Sequence, residues 1–180
     1  MTIALRAIAA AALTLSALPQ AALAQESAII PLPLNPVIPA DKRACALKTA
    51  SGLGYSQLRG GSTAKPTDAD VVLINYIGYL AATGAVFDQN MQTPMAVSDV
   101  IPGFTEGMKL IGKGGVFRLC LPAALAYGAQ ATGPIPANSD LVFQVELLDF
   151  KSRAEIEAAQ KAQAAAEGMT PGSPTPPAGK

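Results

Sequence analysis

The stretch LVFQVEL, residues 141–147, carries the clearest structural pattern of the chain. Its odd-numbered residues Leu141, Phe143, Val145 and Leu147 are all apolar, whereas the residues between them include a glutamine and a glutamate. A period of two is that of a β-strand with one face on a core and the other in water. The stretch therefore predicts a strand of a one-sided sheet.

Three further elements are predicted upstream of this strand. Residues 70–80 are rich in Val, Ile, Leu and Tyr, and residues 115–121 are similarly apolar, so both predict strands. Residues 102–110 suit a short helix, because a glutamate stands early and a lysine late, where they match the helix dipole. This order predicts an α+β fold, in which an antiparallel sheet wraps around a single short helix.

Six short motifs follow one another between residues 74 and 147. They are INYIGYL at 74–80, VFD at 86–88, VIPGFTEG at 100–107, LAYG at 125–128, IPAN at 135–138 and LVFQVEL at 141–147. Each motif is weak alone, but in this order and at this spacing they closely resemble the FK506-binding (FKBP) type of peptidyl-prolyl cis-trans isomerase. Upstream, TASGLGY at 49–55 resembles the lead-in strand of bacterial members, so the resemblance covers residues 49–150.

The resemblance implies an antiparallel half-barrel around one helix, with an apolar pocket between helix and sheet that accelerates rotation about Xaa-Pro bonds. The catalytic candidates are Tyr76, Phe87, Asp88, Ile101, Tyr127 and Phe143, and the substrate-binding candidates are Val100, Phe104, Ala126 and Ile135. Asp88 would sit at the rim and Phe104 at the floor, while the Ile101 N–H and the Tyr127 hydroxyl would bind the substrate main chain. The implied ligands are proline-containing polypeptides and FK506 or rapamycin.

The chain departs from the family pattern at several positions. Phe104 stands where the floor residue is usually tryptophan, and the two residues after Asp88 are not the usual serines. The basic residue that often follows the aspartate has no counterpart, and segment 91–99, interpreted as a loop, is shorter than in typical members. These differences bear on substrate preference and rate more than on activity.

The amino-acid composition limits the available chemistry. The chain contains no histidine, which excludes Ser-His-Asp and Cys-His arrangements and any histidine-ligated metal. Bond rotation breaks no covalent bond, so no nucleophile, metal or cofactor is expected. Removal of residues 1–24 takes away one of 13 basic residues and none of 13 acidic ones, so the net charge becomes −1. A nucleic-acid partner would call for a basic patch and is not expected.

Residues 1–24 predict a cleavable signal peptide. A single positive charge at Arg6 precedes an apolar stretch at 7–17, and Ala22-Leu23-Ala24 has the small-x-small form of a signal peptidase site. The apolar run is too short to cross a bilayer of roughly 30 Å, and no cysteine follows the cleavage point. We therefore expect an exported protein of the bacterial periplasm without a membrane anchor.

The mature chain divides into three predicted regions. A proline-rich arm at 25–48 precedes the isomerase domain at 49–150, and a tail follows at 151–180. The tail begins as an Ala/Glu/Gln/Lys-rich helix without a strong apolar face and ends in a Pro/Gly segment predicted to be disordered.

The two cysteines, Cys45 and Cys120, form no CxxC motif and are candidates for one structural disulfide in an exported protein. The family resemblance places Leu119 and Leu121 on the core side of their strand. Cys120 would then face outward, where the N-terminal arm could lie against it. The alternative is two independent thiols.

Two function classes stay open on the sequence. The same pocket could act as an isomerase or could hold extended peptides without turnover, as a binding module or holdase. Dedicated chaperone relatives carry a large insertion in the flap or a long helical dimerisation arm. Here the flap at 128–140 is short and the arm is proline-rich, so we favour a monomeric isomerase.

Overall fold

A computed structural model describes residues 37–168 of the chain. Within these residues the strands are β1 Leu47–Lys48, β2 Gly54–Arg59, β3 Asp70–Leu80, β4 Val86–Ala96, β5 Val116–Leu121 and β6 Leu141–Ser152, and the α-helices are α1 Pro102–Met108 and α2 Arg153–Gly168. All strand pairs are antiparallel, in the order β1-β2-β5-β6-β3-β4. The sheet is open, with β1 and β4 at its edges. The predicted α+β fold is confirmed.

β6 is the central strand that organises the sheet. Leu141 pairs with Leu121 of β5 on one side and with Leu80 of β3 on the other, and both ladders continue along the strand. The alternating residues from Leu141 to Leu147 are buried against the main core, as their period of two predicts. The strand runs on to Ser152, five residues beyond the predicted stretch.

The main core lies between the sheet and α1. The helix is only seven residues long, and Pro102 in its first turn fits the fixed φ of a helix start. Its buried face carries Phe104 and Met108 together with Gly107. A Cβ on Gly107 would lie 2.3 Å from Leu119 Cδ1, so glycine allows α1 to approach β5 closely.

β4 differs most from the sequence-based prediction. Segment 91–99 was interpreted as a loop, but β4 continues to Ala96 and a 3₁₀ turn occupies Val97–Asp99. Residues 88–92 are all exposed, and all but Met91 are polar, so they show no alternation of apolar and polar residues that would predict a strand. Backbone pairing with β3 supplies the structure instead, and Asn75 Oδ1 accepts a hydrogen bond from Gln92 N–H at 2.8 Å where the register shifts.

The N-terminal arm covers part of the outer face of the sheet. Ile38 is 1% exposed and packs with Ile77, Tyr79 and Val142 in a second apolar cluster. The Tyr79 hydroxyl donates a 2.6 Å hydrogen bond to the carbonyl of Lys42. The arm is therefore attached to the sheet by the buried Ile38 and by the hydrogen bond at Lys42.

A disulfide joins this arm to the sheet. Cys45 and Cys120 are bonded, with their Cα atoms 6.1 Å apart, and Cys120 lies on the face opposite to buried Leu119 and Leu121. The predicted pairing and the predicted position of the arm are confirmed.

α2 follows β6 without a loop. Ser152 and Glu155 form a capping box: the Ser152 hydroxyl accepts from the Glu155 N–H at 3.2 Å, and the Glu155 carboxylate accepts from the Ser152 N–H at 2.9 Å. The tail was predicted to lack an apolar face, yet Ile156 is half-buried and lines a cleft with Phe150. The first turn of the helix therefore packs against the sheet.

Within residues 37–168 we find no helix with the length and hydrophobicity that a membrane span requires. The predicted signal peptide at 1–24, the first part of the arm at 25–36 and the end of the tail at 169–180 lie outside the described residues.

Candidate active site

An aromatic cleft opens between α1 and the inner face of the sheet. The ring of Phe104, from α1, lies edge-on to that of Phe143, from β6, with centroids 5.0 Å apart. Tyr76, from β3, meets Phe104 at 6.4 Å in a similar arrangement. The cleft has a volume of about 340 Å³, which suits a small apolar group such as a proline ring and its neighbours.

Seven of the ten residues predicted for the site line this cleft. They are Tyr76, Asp88, Val100, Ile101, Phe104, Tyr127 and Phe143. Two further residues, Met95 and Asp99, complete the lining and were not predicted. Both lie in segment 91–99, and its interpretation as a loop hid the inward-facing end of β4.

The other three predicted residues adjoin the cleft without lining it. Phe87 packs on Phe143, with ring centroids 5.5 Å apart, and so supports the cleft from behind. Ile135 is buried in the main core, and Ala126 packs against that core. Tyr127, just before the flap, therefore lines the cleft, whereas Ile135 within the flap does not.

Gly78 makes room for two of these rings. A Cβ at this position would lie 2.7 Å from both Phe87 and Phe143, closer than any side chain can approach. A glycine inside a strand often marks such a close approach, and this one in INYIGYL was the sequence signal. Gly78 is a site residue that the motif comparison missed.

Tyr76 and Asp88 form the polar pair of the cleft. The Tyr76 hydroxyl donates a 2.6 Å hydrogen bond to Asp88 Oδ2. Burial raises the pKa of Tyr76 well above its ordinary value, and the hydrogen bond and negative charge of Asp88 raise it further. The phenol therefore stays protonated at neutral pH and continues to donate its hydrogen bond to the Asp88 carboxylate.

Two donors at the cleft have no internal acceptor. Neither the Ile101 N–H nor the Tyr127 hydroxyl makes a hydrogen bond within the described part of the chain. Tyr127 is 38% exposed, and Ile101 stands just before the first turn of α1. Both groups are free to bind a polar ligand that enters the cleft.

Among residues 37–168, no group of three or more Cys, Asp or Glu side chains could hold a metal ion. The cleft offers instead apolar ring surface, a paired carboxylate and two hydrogen-bond donors. This combination suits a ligand with an apolar ring next to main-chain carbonyls, as a prolyl peptide has. Fold and site together define a small α+β domain with a binding cleft for an apolar ring.

Comparison with known proteins assigns the domain to a family. Residues 62–148 match the model of the FKBP-type peptidyl-prolyl cis-trans isomerases. Residues 62–148 are therefore a domain of the FKBP type, which confirms the predicted resemblance, and the activity in the family's name agrees with the predicted enzyme class.

Several curated relatives match the chain. The FKBP-type peptidyl-prolyl cis-trans isomerase FkpA of Escherichia coli is 43% identical over 125 residues, which cover 67% of this chain and 46% of the relative. The outer membrane protein MIP of Legionella longbeachae is 38% identical over 109 residues, which cover 58% of this chain and 46% of MIP. The chain thus spans about half the length of the curated relatives it matches.

Two solved structures share the fold. The crystal structure of FkpA from Escherichia coli aligns with a TM-score of 0.57 and 42% identity, over 59% of this chain and 51% of that one. A peptidyl-prolyl cis-trans isomerase from Pseudomonas syringae pv. tomato aligns with a TM-score of 0.57 and 26% identity, over 76% of this chain and 99% of that one.

Proposed function

We propose that this protein is an active peptidyl-prolyl cis-trans isomerase that accelerates Xaa-Pro bond rotation during the folding of exported proteins. The observation that carries the proposal is the cleft in which Tyr76, Phe104 and Phe143 surround an apolar space beside two unpaired donors. Aromatic side chains present a large apolar surface, against which a proline ring can pack.

The cleft would act on the amide without covalent chemistry. The barrier to rotation is roughly 18–20 kcal/mol because the amide loses resonance as it twists. Resonance makes the planar amide more polar than the twisted one, so a water-excluding aromatic cleft destabilises the planar ground state relative to the transition state. Phe104 and Phe143 would supply that environment, with Phe87 packed behind them.

Hydrogen bonds would hold the substrate main chain while the bond rotates. The Ile101 N–H and the Tyr127 hydroxyl are the candidate donors, and the Tyr76–Asp88 pair would place a carboxylate at the rim. A reduction of the barrier by about 5–6 kcal/mol corresponds to roughly 10⁴-fold acceleration. Desolvation of the planar amide in the apolar cleft would supply that reduction, while the donors hold the substrate main chain throughout the rotation.

We also propose that the mature chain is exported, works as a monomer and binds FK506 or rapamycin. The signal-like residues 1–24, the Cys45–Cys120 disulfide and the similarity to an outer membrane protein support export. Macrolide binding would use the same aromatic cleft. Sedimentation equilibrium on the oxidised protein tests the monomer, since a mass of twice the chain would contradict it.

The proposed activity is tested with purified residues 25–180 in a protease-coupled assay on a tetrapeptide series with different residues before proline. We expect acceleration at micromolar protein, greatest for an apolar Xaa. A protein with native circular dichroism that leaves the exchange rate unchanged would contradict the isomerase. If such a protein still binds the peptides, the chain acts as a peptide-binding module and not as an isomerase. Inhibition by FK506 places the activity in the cleft.

A further inference from the structure

Arg153, the first residue of α2, makes a side-chain contact next to the cleft. Its Nη2 donates hydrogen bonds to Ser98 Oγ at 2.8 Å and to Asp99 Oδ1 at 3.0 Å. The Ser98 hydroxyl in turn donates to Asp99 Oδ1 at 2.7 Å, so the three side chains close a triangle. Arg153 lies outside residues 62–148, which match the family model.

The triangle stands at the edge of the site. Asp99, Val100 and Ile101 all line the cleft, and the unpaired N–H of Ile101 is two residues beyond the contact. We call residues 98–101 the pocket lip. Any change in the position of the lip moves the donor that the substrate would meet.

The lip is also held from its other side. The Thr105 hydroxyl, on α1, donates to the carbonyl of Val97 at 2.8 Å and lies 3.4 Å from that of Val100. α1 therefore holds the lip on its core side, at the carbonyls of Val97 and Val100, whereas its outer side, at Ser98 and Asp99, is held by Arg153.

Arg153 is itself anchored through its backbone. Its N–H donates to the carbonyl of Ala69 at 3.1 Å, and Ser152 pairs with Asp70 at the end of β6. The capping box between Ser152 and Glu155 fixes the helix start on the other side. The guanidinium thus extends from a rigid base.

We infer that Arg153 is a positioning residue that holds the pocket lip, and with it the Ile101 N–H, in place for a prolyl peptide. This inference rests on the proposed isomerase function. The side chains of Arg153 and Asp99 are 47% and 64% exposed, and exposed ion pairs add little to global stability. The contact acts on local motion of the lip, which can be loosened without unfolding the domain.

The test is Arg153→Ala in the mature chain. We expect the KM for a prolyl tetrapeptide to rise about three- to fivefold with kcat within about twofold, because a displaced donor weakens ground-state and transition-state binding alike. Lysine carries three donors on one nitrogen, and a single nitrogen makes both contacts now, so Arg153→Lys should restore KM to near the wild-type value.

The matched control is Lys113→Ala. It breaks an exposed ion pair of similar geometry, Lys113 to Asp149 at 2.9 Å, that does not touch the lip. We expect no change in KM there. Melting temperatures of both alanine variants should stay within about 2 °C of each other.

A second measurement does not depend on activity. Hydrogen exchange of the Phe104 amide, which donates to the Ile101 carbonyl at 2.9 Å and so reports opening of the lip, should be faster in Arg153→Ala and unchanged in Lys113→Ala when followed by NMR. Equal exchange in both, an unchanged KM, or a loss that lysine does not restore would each overturn the inference. An inactive wild-type chain would end the proposed function instead, and the exchange rates would still decide the role of Arg153.

Discussion

Tyr127 is the residue of the cleft whose chemistry is easiest to separate from its packing. Its ring is more exposed than those of Tyr76, Phe104 and Phe143, and its hydroxyl has no partner among residues 37–168. Removal of that hydroxyl therefore leaves the internal hydrogen bonds intact, and any effect on activity reports a contact with the substrate.

We expect Tyr127→Phe to lower kcat/KM about tenfold, the equivalent of about 1.4 kcal/mol and of one hydrogen bond. The melting temperature should not change. Tyr55→Phe serves as the control, because Tyr55 packs against the core and does not line the cleft. Equal losses of activity in the two variants, or a melting temperature that falls with Tyr127→Phe, would contradict a role in substrate binding.

Tyr79 makes the stability of the fold depend on pH in the alkaline range. Its side chain is fully buried, and this burial raises its pKa from 10.0 to about 12, although Arg118 and Arg43 lower it in part. Between these values the unfolded chain loses the proton and the folded chain keeps it. The shifted pKa of Tyr79 contributes to the free energy of unfolding below pH 10, and this contribution is lost as the pH rises to 12. The loss is at most roughly 2–3 kcal/mol.

Urea unfolding of wild type and Tyr79→Phe between pH 9 and pH 11.5 measures this effect. Wild type should lose more stability over that range, since phenylalanine has no proton to lose. Tyr76 contributes a fall of the same sign in both proteins, so the difference between the two curves is the test. Parallel curves would contradict the assignment.

β3 shapes the cleft through a missing side chain. The rings of Phe87 and Phe143 meet over Gly78, where a methyl group would overlap both. We expect Gly78→Ala to cost about 1–3 kcal/mol of stability, as overpacked cores do, and to lower kcat/KM as the rings move.

Gly60→Ala is the matched control for this prediction. The nearest atom to a Cβ there is the amide end of the flexible Gln57 side chain, at 3.3 Å. Differential scanning calorimetry and the peptide assay compare the two variants. A Gly78→Ala protein as stable and active as Gly60→Ala would show that the rings do not need the space.

The elements differ in how well the sequence predicts them. β3, β5 and β6 bury one or both faces, so their apolar residues signal strands, and the bounds of β3 were predicted as observed. β4 is an edge strand with an exposed polar centre, and its structure comes from pairing with β3. No local pattern could predict it.

The same difference explains what was missed at the site. Residues carried by motifs, such as Tyr76 and Phe143, were found, whereas Met95 and Asp99 sit on a segment without a motif. Ile135, predicted to bind the substrate, is buried in the same core as Tyr76 and Phe143 but is not among the residues that line the cleft. Such placements depend on tertiary packing, which no single motif encodes.

At the scale of the whole molecule, the sheet carries a different structure on each face. The inner face holds α1 and the cleft, and the outer face holds the arm, the second apolar cluster and the disulfide. Arg43 strengthens the arm by donating to the carbonyls of Ile38 at 2.8 Å and Ala82 at 2.7 Å. A change on the outer face should therefore alter the stability of the fold without altering the cleft on the inner face.

We expect the double variant Cys45→Ser, Cys120→Ser to lose roughly 4–5 kcal/mol of stability in the loop-entropy model, because the bond closes a 75-residue loop. Its activity at 25 °C should remain near wild type, since the cleft lies on the other face. Denaturant unfolding and the peptide assay measure the two effects. An unchanged midpoint, or a folded but inactive variant, would contradict this separation.

The disulfide also has a consequence for the order in which the protein is made. It closes a covalent ring that contains β1 to β5 but leaves out β6, which lies between β5 and β3. A chain synthesised from its N-terminus exposes both cysteines before β6 is complete. Until that last strand inserts, β1-β2-β5 and β3-β4 share no backbone pairing, and Phe143 is missing from the cleft. A nascent chain can thus hold its native disulfide while its aromatic cleft is still incomplete.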